Sequence, residues 1–324
     1  MVDRQLIITP VASELNQFEQ DFSRMLHSEI PLLKSAIEQV LHANGKHIRP
    51  LLLLLTAKAC GEPTKMSQDA AVIIESLHTT TLIHDDVVDE TKQRRGRPSL
   101  NAIFDNRIAV LTGDYLLAGS ILNAVETGNI NIIKILARVC RDLSEGEFLQ
   151  MDNSGRRSLD ENEYLRMIQK KTASLLSASA EIGAISVNAP DETIDKCRQF
   201  GEYLGYCFQI KDDIFDYYDD VNIGKPTGND IREGKITLPL LFALKNAPEK
   251  ERGNYFSMID NQDYTHQNVT ALLRFAKQYG GIEYAEYRLE EFKQKAVEII
   301  SSFPYSEART GLLLLADYFA ERTK

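Results

Sequence analysis

Apolar residues recur at intervals of three and four along most of the chain, which is the spacing of one face of an α-helix. One such face, in the N-terminal part, contains five apolar side chains: Leu15, Phe18, Phe22, Met25 and Leu26. Strict alternation of apolar and polar residues is not evident in any segment, so few or no strands are expected. There is no proline between Pro98 and Pro190, which permits several long helices in succession. The pattern therefore predicts an all-α fold.

Polar segments separate the predicted helices. We expect turns at residues 126–129 and 152–158, and a helix beginning at Asp160, because Glu163 follows it at the spacing of a capping box. The longest predicted non-helical segment is 219–235, and polar loops of this length in compact domains are usually functional. Neither a linker nor a change in composition divides the sequence, so we expect a single domain over residues 1–324.

Composition narrows the classes of function. The chain is 43% hydrophobic and 26% charged, and its net charge of -10 argues against general nucleic-acid binding, which needs an excess of Lys and Arg. The four cysteines have neither disulfide-framework nor zinc-site spacing: Cys60, Cys140, Cys197 and Cys207. No signal sequence is apparent, and the apolar run at 51–57 is too short to span a membrane. We expect a soluble cytoplasmic protein without a transmembrane segment, which could still contact a membrane surface transiently.

Two clusters of aspartates have the same spacing, two adjacent acids and a third four positions after the first: Asp85, Asp86 and Asp89, then Asp212, Asp213 and Asp216. In a helix, residues four apart lie on one face, so each cluster would present at least two carboxylates in one direction. One such cluster is weak evidence, because a solvated acidic helix face has the same appearance. Two copies within largely apolar helices favour a divalent metal site instead.

Magnesium is the metal that these ligands suit best. It usually keeps several waters and takes one or two carboxylates together with phosphate oxygens of a substrate. Thiolate or imidazole metals are disfavoured, because neither a cysteine nor a histidine pair accompanies the clusters. Several basic residues elsewhere could contact the phosphate oxygens: Lys46, Arg49, Arg94, Arg95, Lys171, Lys225 and Lys235. Each alone could be a surface charge; together with the acid clusters they indicate a diphosphate ligand.

Seven motifs carry a resemblance to a known family: "GKHIRP", "LIHDDVVDETKQRRGRPS", "GDYLLA", "EGEFLQM", "KTASL", "FQIKDDIFDY" and "GKPTGNDIREGKITLPL". In this order they resemble the trans-isoprenyl diphosphate synthases of the polyprenyl synthetase family, most closely those that make long chains. The resemblance covers residues from about 40 to 240. It implies an all-α isoprenoid-synthase fold with antiparallel helices around a central cavity, a homodimer, and Mg²⁺ as cofactor, three ions per active site with diphosphate bound.

The resemblance also implies substrates and residue roles. Isopentenyl diphosphate would condense head to tail with an allylic diphosphate such as farnesyl or geranylgeranyl diphosphate. Metal ions would be held by the two clusters: Asp85, Asp86, Asp89, Asp212, Asp213 and Asp216. Three basic residues would contact the departing diphosphate: Arg94, Lys171 and Lys235. Three further residues would support this site: Thr172, Gln209 and Lys225. Isopentenyl diphosphate would be bound by Lys46, Arg49, His78 and Arg95. His47 is expected to be a weaker contact, and His84 and Tyr217 to serve local packing.

Product length is expected to depend on the residues below Asp85 on its helix. Five residues of helix span roughly 7.5 Å, so Thr80 and Thr81 stand where the tail of a short product would end. Family members with short products commonly have a bulky aromatic residue there. The two threonines favour a long product, which the resemblance implies would be hexaprenyl to nonaprenyl, of the kind used for quinone side chains.

Other functions remain open at this point. A short-chain synthase making farnesyl or geranylgeranyl diphosphate, or the catalytic subunit of a heteromeric synthase, would have the same motifs. A terpene cyclase is not expected to carry the second acid cluster, and a non-catalytic partner subunit would be expected to lose both clusters. A calcium-binding module is disfavoured, because the twelve-residue loop with a closing Glu is absent.

Overall fold

A computed structural model of the protein describes residues 3–42, 45–94, 96–153, 160–218 and 227–322. These ranges contain seventeen α-helices and one pair of very short strands, so the predicted all-α class is confirmed. The helices, in chain order, are α1 Arg4–Ile8, α2 Ala12–Met25, α3 Pro31–His42, α4 Ile48–Cys60, α5 Lys65–Val88, α6 Leu100–Ile103, α7 Asn106–Glu126, α8 Ile130–Asn153, α9 Glu161–Ile168, α10 Ser174–Ser186, α11 Asp191–Phe215, α12 Asn229–Arg232, α13 Leu238–Asn246, α14 Glu249–Asp260, α15 His266–Gln278, α16 Gly281–Ser301 and α17 Glu307–Glu321.

The core is built around α4, α5, α10 and α11. Helix α4 is apolar on all sides, and its run Leu51–Leu55 is fully buried, as expected for a helix surrounded by others. It packs against α5, α10 and α17, while α5 packs along α7 and α11 packs along α10 and α16. Small residues permit the close approaches: a Cβ at Gly183 would lie 2.4 Å from the main-chain oxygen of Leu53.

The predicted start at Asp160 is confirmed. Its side chain accepts a hydrogen bond from the Glu163 main-chain N–H, and the Glu163 carboxylate accepts one from Asp160. The helix that follows is not uniform, however. Residues Gln169–Ala173 form a π-helical turn between α9 and α10, a distortion that is frequent at functional sites. The turn predicted at 126–129 is also confirmed, because α7 ends at Glu126 and α8 begins at Ile130.

Two segments between the long helices contain regular structure where irregular loops were expected. After α5, strand β1 (Gln93–Arg94) pairs antiparallel with β2 (Arg97–Pro98), and Gly96 between them has φ 76°. Within 219–235, expected to be non-helical, residues 229–232 form the one-turn helix α12. The Asp216 carboxylate explains this turn, because it accepts hydrogen bonds from the first two amides of α12. Residues 154–159 and 219–226, parts of two predicted loops, lie outside the described residues.

Helix α7 is the helix among the described residues that meets the length and composition of a membrane span, but a single helix of this kind does not overturn the expectation of a protein without one. By length and composition it could cross a membrane, and only 33% of its most apolar stretch is buried. One side of α7 packs along α5, whereas the other exposes large apolar side chains, among them Leu111, Ile121, Leu122 and Val125. The sequence pattern did not separate these two faces, because both are apolar.

Candidate active site

A cavity of about 600 Å³ lies among α5, α7, α8, the π-helical turn, α10 and α11. Charged and polar side chains line it in one group: Arg49, His78, His84, Asp85, Arg94, Glu147, Lys171, Thr172 and Asp212. A second group is apolar or small: Leu77, Thr80, Thr81, Leu117, Cys140, Leu143 and Leu175. The cavity thus offers both charged and apolar side chains to the same ligand.

Asp85 is the member of the first cluster that lines this cavity. Burial raises the pKa of its carboxyl group to about 6, and the negative charges of Glu147 and Asp89 add to the effect, while Lys171 and Arg94 oppose it. A carboxylate in this position is costly to ionise without a cation beside it. The position therefore favours binding of positive charge.

The other two acids of the first cluster have different surroundings. Asp86 is buried, and its Oδ1 accepts a hydrogen bond of 2.8 Å from Nε of Arg94. Asn101 donates to the Asp86 main-chain oxygen at 3.0 Å and holds that end of α5 in place. Asp89 is the exposed residue at which α5 ends. The three carboxylates are close in sequence, but only Asp85 lines the main cavity.

In the second cluster, Asp212 lines the same cavity as Asp85, and its side chain is 43% exposed. Asp213 lines a smaller cavity of about 160 Å³, and each of its carboxylate oxygens accepts a hydrogen bond, one from Tyr164 at 2.5 Å and one from Gln209 at 2.9 Å. Burial and the charge of Asp230 raise the pKa of Asp213 to about 8. With Asp216 engaged at α12, Asp212 is the acid of this cluster with the clearest access to a ligand.

The acidic groups do not form a closed metal cage. Among the described residues there is no group of three or more His, Cys, Asp or Glu side chains that could hold an ion alone. Magnesium does not require one, because it binds through one or two carboxylates and fills its other positions with water and phosphate oxygens. Asp85 and Asp212, two hard oxygen ligands on the wall of one cavity, fit that requirement.

Lys171 reaches the cavity from the π-helical turn, where it forms an ion pair with Glu147 of α8. The close packing depends on Gly146, since a Cβ there would lie 2.7 Å from the Lys171 main-chain nitrogen. Thr172, next in the turn, donates a 2.8 Å hydrogen bond to Gln209, which in turn donates to Asp213. The predicted group of Lys171, Thr172 and Gln209 is therefore assembled on one side of the site.

Lys235 lines the smaller cavity beside Asp213, Gln209 and Lys171. Burial lowers the pKa of Lys235, but its 2.6 Å ion pair with Glu233 outweighs this, and the net pKa is raised. Lys235 therefore stays charged near neutral pH. Lys225 lies outside the described residues.

Lys46, Arg49 and His78 lie toward α17 and the N-terminus of α4. Lys46 Nζ is 3.1 Å from the hydroxyl of Tyr318, whereas Arg49 and His78 line the main cavity. His47 has a left-handed backbone with φ 45°, and its ring nitrogen Nδ1 lies 3.0 Å from the carboxylate of buried Glu75. The His47 ring is therefore engaged by Glu75 in this structure. Arg95 lies outside the described residues.

Comparison with known proteins decides the family. The profile described as polyprenyl synthetase matches residues 30–275 of the chain. The chain belongs to the polyprenyl synthetase family. A relative in this family, the all-trans-nonaprenyl-diphosphate synthase (geranyl-diphosphate specific) of Rhodobacter capsulatus, is 35% identical over 98% of both chains.

Two solved structures of polyprenyl synthetase relatives share the fold over nearly the whole chain. The polyprenyl synthase from Caulobacter crescentus CB15, complexed with calcium and isoprenyl diphosphate, has a TM-score of 0.92 and 30% identity, covering 100% of this chain and 99% of that one. The geranylgeranyl pyrophosphate synthase from Bacteroides thetaiotaomicron has a TM-score of 0.84 and 40% identity, covering 98% and 99%. The isoprenoid-synthase fold expected from the motifs is confirmed.

Thr80 and Thr81, the chain-length candidates in this polyprenyl synthetase, both line the cavity. Thr80 is 2% exposed, and its hydroxyl donates a 3.4 Å hydrogen bond to the main chain of Gly113 on α7. Thr81 is less buried, and its hydroxyl bonds to the His78 main chain of its own helix. A larger side chain at Thr81 would therefore enter the cavity, whereas one at Thr80 would also press on α7.

Three residues that sequence reasoning missed complete the site. Glu147 neutralises Lys171, Tyr164 holds Asp213, and Arg322 forms an ion pair with Asp212. Glu147 lies in the motif "EGEFLQM", which could have suggested it. Tyr164 and Arg322 are 49 and 110 residues from their partners, and no local pattern indicates such pairs. Tyr217 is buried, which agrees with the expected packing role, whereas His84 lines the main cavity and its Nε2 lies 3.3 Å from the main-chain oxygen of Val110.

Proposed function

We propose that this protein is a magnesium-dependent prenyltransferase that extends an allylic diphosphate with isopentenyl diphosphate, head to tail and all-trans, to a long polyprenyl diphosphate. The observation that carries the proposal is that Asp85 and Asp212 line one cavity together with basic residues and with apolar side chains such as Leu77, Leu117 and Leu143. Oxygen ligands for a metal and diphosphate are thereby combined with space for a hydrocarbon chain. The names of the similar proteins, which are prenyl diphosphate synthases, agree with this reaction.

In this proposal the acidic side of the site holds the allylic diphosphate. Bound Mg²⁺ would neutralise the diphosphate and favour its departure. Asp85 and Asp212 would be its principal ligands, Asp89 would join them from the end of α5, and Asp86 orients Arg94 through their hydrogen bond. Asp213 and Asp216 shape the second wall through their bonds to Tyr164, Gln209 and α12.

Basic groups stabilise the charge that develops when the allylic C–O bond breaks. We assign this role to Arg94, Lys171 and Lys235, with Thr172, Gln209 and Lys225 in support. The double bond of isopentenyl diphosphate then forms the new C–C bond, and the departed diphosphate accepts the proton that is lost. Lys46, Arg49, His78 and Arg95 are assigned to the diphosphate of isopentenyl diphosphate, which lies opposite.

The product is assigned to the long-chain class because two small side chains, Thr80 and Thr81, stand in the cavity lining where a bulky residue would limit a growing chain. Leu77 and Leu117 are apolar residues that line the same cavity. A shorter product is the alternative, because the chain is 40% identical to a geranylgeranyl pyrophosphate synthase, and the assay must distinguish the two product lengths. A quinone side chain is the use we propose for a long product.

We further propose that residues 1–324 form one domain and that two copies form a homodimer through α7 and α8. Exposed apolar side chains occur on both helices, and contiguous apolar patches mark protein interfaces. Phe148 of α8 is 74% exposed and also lines the cavity, so a second copy placed there would close its outer side. On this assignment α7 is an interface helix of a cytoplasmic enzyme, and product release involves transient membrane contact.

The test is an assay of the purified protein with Mg²⁺, labelled isopentenyl diphosphate and each allylic primer in turn, with the product sized by chromatography. We expect chain elongation that stops when the metal is chelated. A geranylgeranyl product would assign the chain to the short-chain alternative. Incorporation only after a second, different subunit is added would replace the homodimer with a heteromeric synthase.

A further inference from the structure

The carboxylate of Asp212 is held by a residue far away in sequence, Arg322, which follows directly after α17. One guanidinium nitrogen of Arg322 donates hydrogen bonds both to Oδ1 of Asp212 and, at 2.9 Å, to the main-chain oxygen of Phe208. The Arg322 side chain is 9% exposed, whereas that of Asp212 is 43% exposed. The arginine is therefore a buried support for a more accessible acid.

Aromatic rings fix the guanidinium in this position. Its carbon lies 4.0 Å from the ring centroid of Phe208 and 5.5 Å from that of Phe215. Phe208, Asp212 and Phe215 are spaced by four and three positions on α11, so they share one helix face. A planar group that lies flat on aromatic rings and presents its donors in a fixed fork is a property of arginine that lysine lacks.

Arg322 approaches Asp212 from outside the main cavity. Asp212 is among the residues that line the cavity, and Arg322 is not. The contact between the Arg322 and Asp212 side chains joins one guanidinium nitrogen to Oδ1. No hydrogen bond to Oδ2 of Asp212 is found among the described residues, so Arg322 holds one oxygen of the carboxylate and leaves the other for a ligand.

We propose that Arg322 is a positioning residue that orients the Asp212 carboxylate for metal binding. The inference rests on the proposed function, in which Asp212 is a magnesium ligand. Ligating carboxylates are generally oriented by hydrogen bonds from a second layer of residues, and loss of such a partner typically costs roughly 10- to 100-fold in metal affinity or activity. Arg322 supplies that partner here and is held rigidly enough to define its direction.

The experiment compares Mg²⁺ binding by the wild type with that of Arg322→Gln, Arg322→Lys and Arg309→Gln, by calorimetric titration in the presence of inorganic pyrophosphate. Arg309 is the matched control: it lies in the first turn of α17 and also bonds to a main-chain oxygen, that of Ser301. We expect Arg322→Gln to bind Mg²⁺ roughly 10- to 100-fold more weakly, Arg322→Lys to be intermediate, and Arg309→Gln to match the wild type. In turnover, excess Mg²⁺ should restore most of the activity of Arg322→Gln.

Two results would overturn the inference. Unchanged Mg²⁺ affinity in Arg322→Gln would show that Asp212 needs no such support, and tighter binding would show that Arg322 competes with the metal. If Arg322→Gln shows no cooperative thermal transition and is therefore unfolded, the Mg²⁺ affinity of the charged variant Arg322→Lys is compared with that of the wild type instead. A wild type that binds no Mg²⁺ with pyrophosphate would instead contradict the proposed function, so the two failures are distinguishable.

Discussion

Replacing Asp85 by asparagine should make the metal-free protein more stable while abolishing its turnover. The side chain is nearly isosteric, so the substitution removes the charge and little else. Burial is the main reason that the pKa of Asp85 is raised from 3.8 to about 6. A raised pKa means that the folded protein holds the ionised carboxylate less favourably than the unfolded chain does.

The size of the effect follows from the shift. One pKa unit corresponds to 1.36 kcal/mol, so a shift of about two units gives a ceiling of about 3 kcal/mol. Because the folded-state pKa is the higher one, the cost is absent below about pH 4, grows as the pH rises toward about 6, and is constant above it. Asp85→Asn should therefore gain up to about 3 kcal/mol in the free energy of unfolding at pH 7.5 and almost nothing near pH 4.

The assay is equilibrium unfolding in denaturant, with a chelator present, at several pH values between 4 and 8. Asp195→Asn is the control, because Asp195 is an exposed residue near the start of α11 whose ion pair, among the described residues, is with nearby Arg198; its effect should stay within about 0.5 kcal/mol. Lower stability of Asp85→Asn at pH 7.5, or a gain that does not change with pH, would refute the reasoning. Full turnover by Asp85→Asn would show that the Asp85 carboxylate is not needed for metal binding.

Three further predictions concern the cavity and the surface. Thr81→Phe should shorten the product by filling the cavity beside the acidic wall, as measured by product chromatography; an unchanged length would reject the chain-length assignment. Gly113→Ala should cost about 1–3 kcal/mol in unfolding, because the new Cβ would lie 2.2 Å from the His84 ring, whereas equal stability would show that the ring moves freely. Leu122→Glu, which charges an apolar side chain that is 59% exposed on α7, should dissociate the dimer in sedimentation experiments. A dimer unaffected by Leu122→Glu would place the interface elsewhere.

The sequence was sufficient for the fold class and for the positions of the two aspartate clusters. Helical periodicity and the capping pair at Asp160 and Glu163 are local properties, so they could be recognised without tertiary contacts. The identical spacing of the clusters, however, suggested equal roles for their members. In the structure three of these carboxylates accept hydrogen bonds from different partners: Asp86 from Arg94, Asp213 from Tyr164, and Asp216 from main-chain amides of α12.

What could not be predicted depends on contacts between distant segments. The pairing of Asp212 with Arg322 requires α17 to pack beside α11, which neither segment specifies alone. The π-helical turn at Lys171 is set by the close approach of Gly146 on α8. The apolar α7 is similarly ambiguous in sequence, because a buried face and an exposed interface face have the same composition.

The most direct test of the central claim is elongation of an allylic diphosphate by the wild type, Asp212→Asn and the control Asp195→Asn under saturating Mg²⁺. The account predicts labelled long-chain product from the wild type and from Asp195→Asn, and loss of nearly all product from Asp212→Asn with folding retained. Wild-type levels of product from Asp212→Asn, or none from the wild type with any primer, would contradict it.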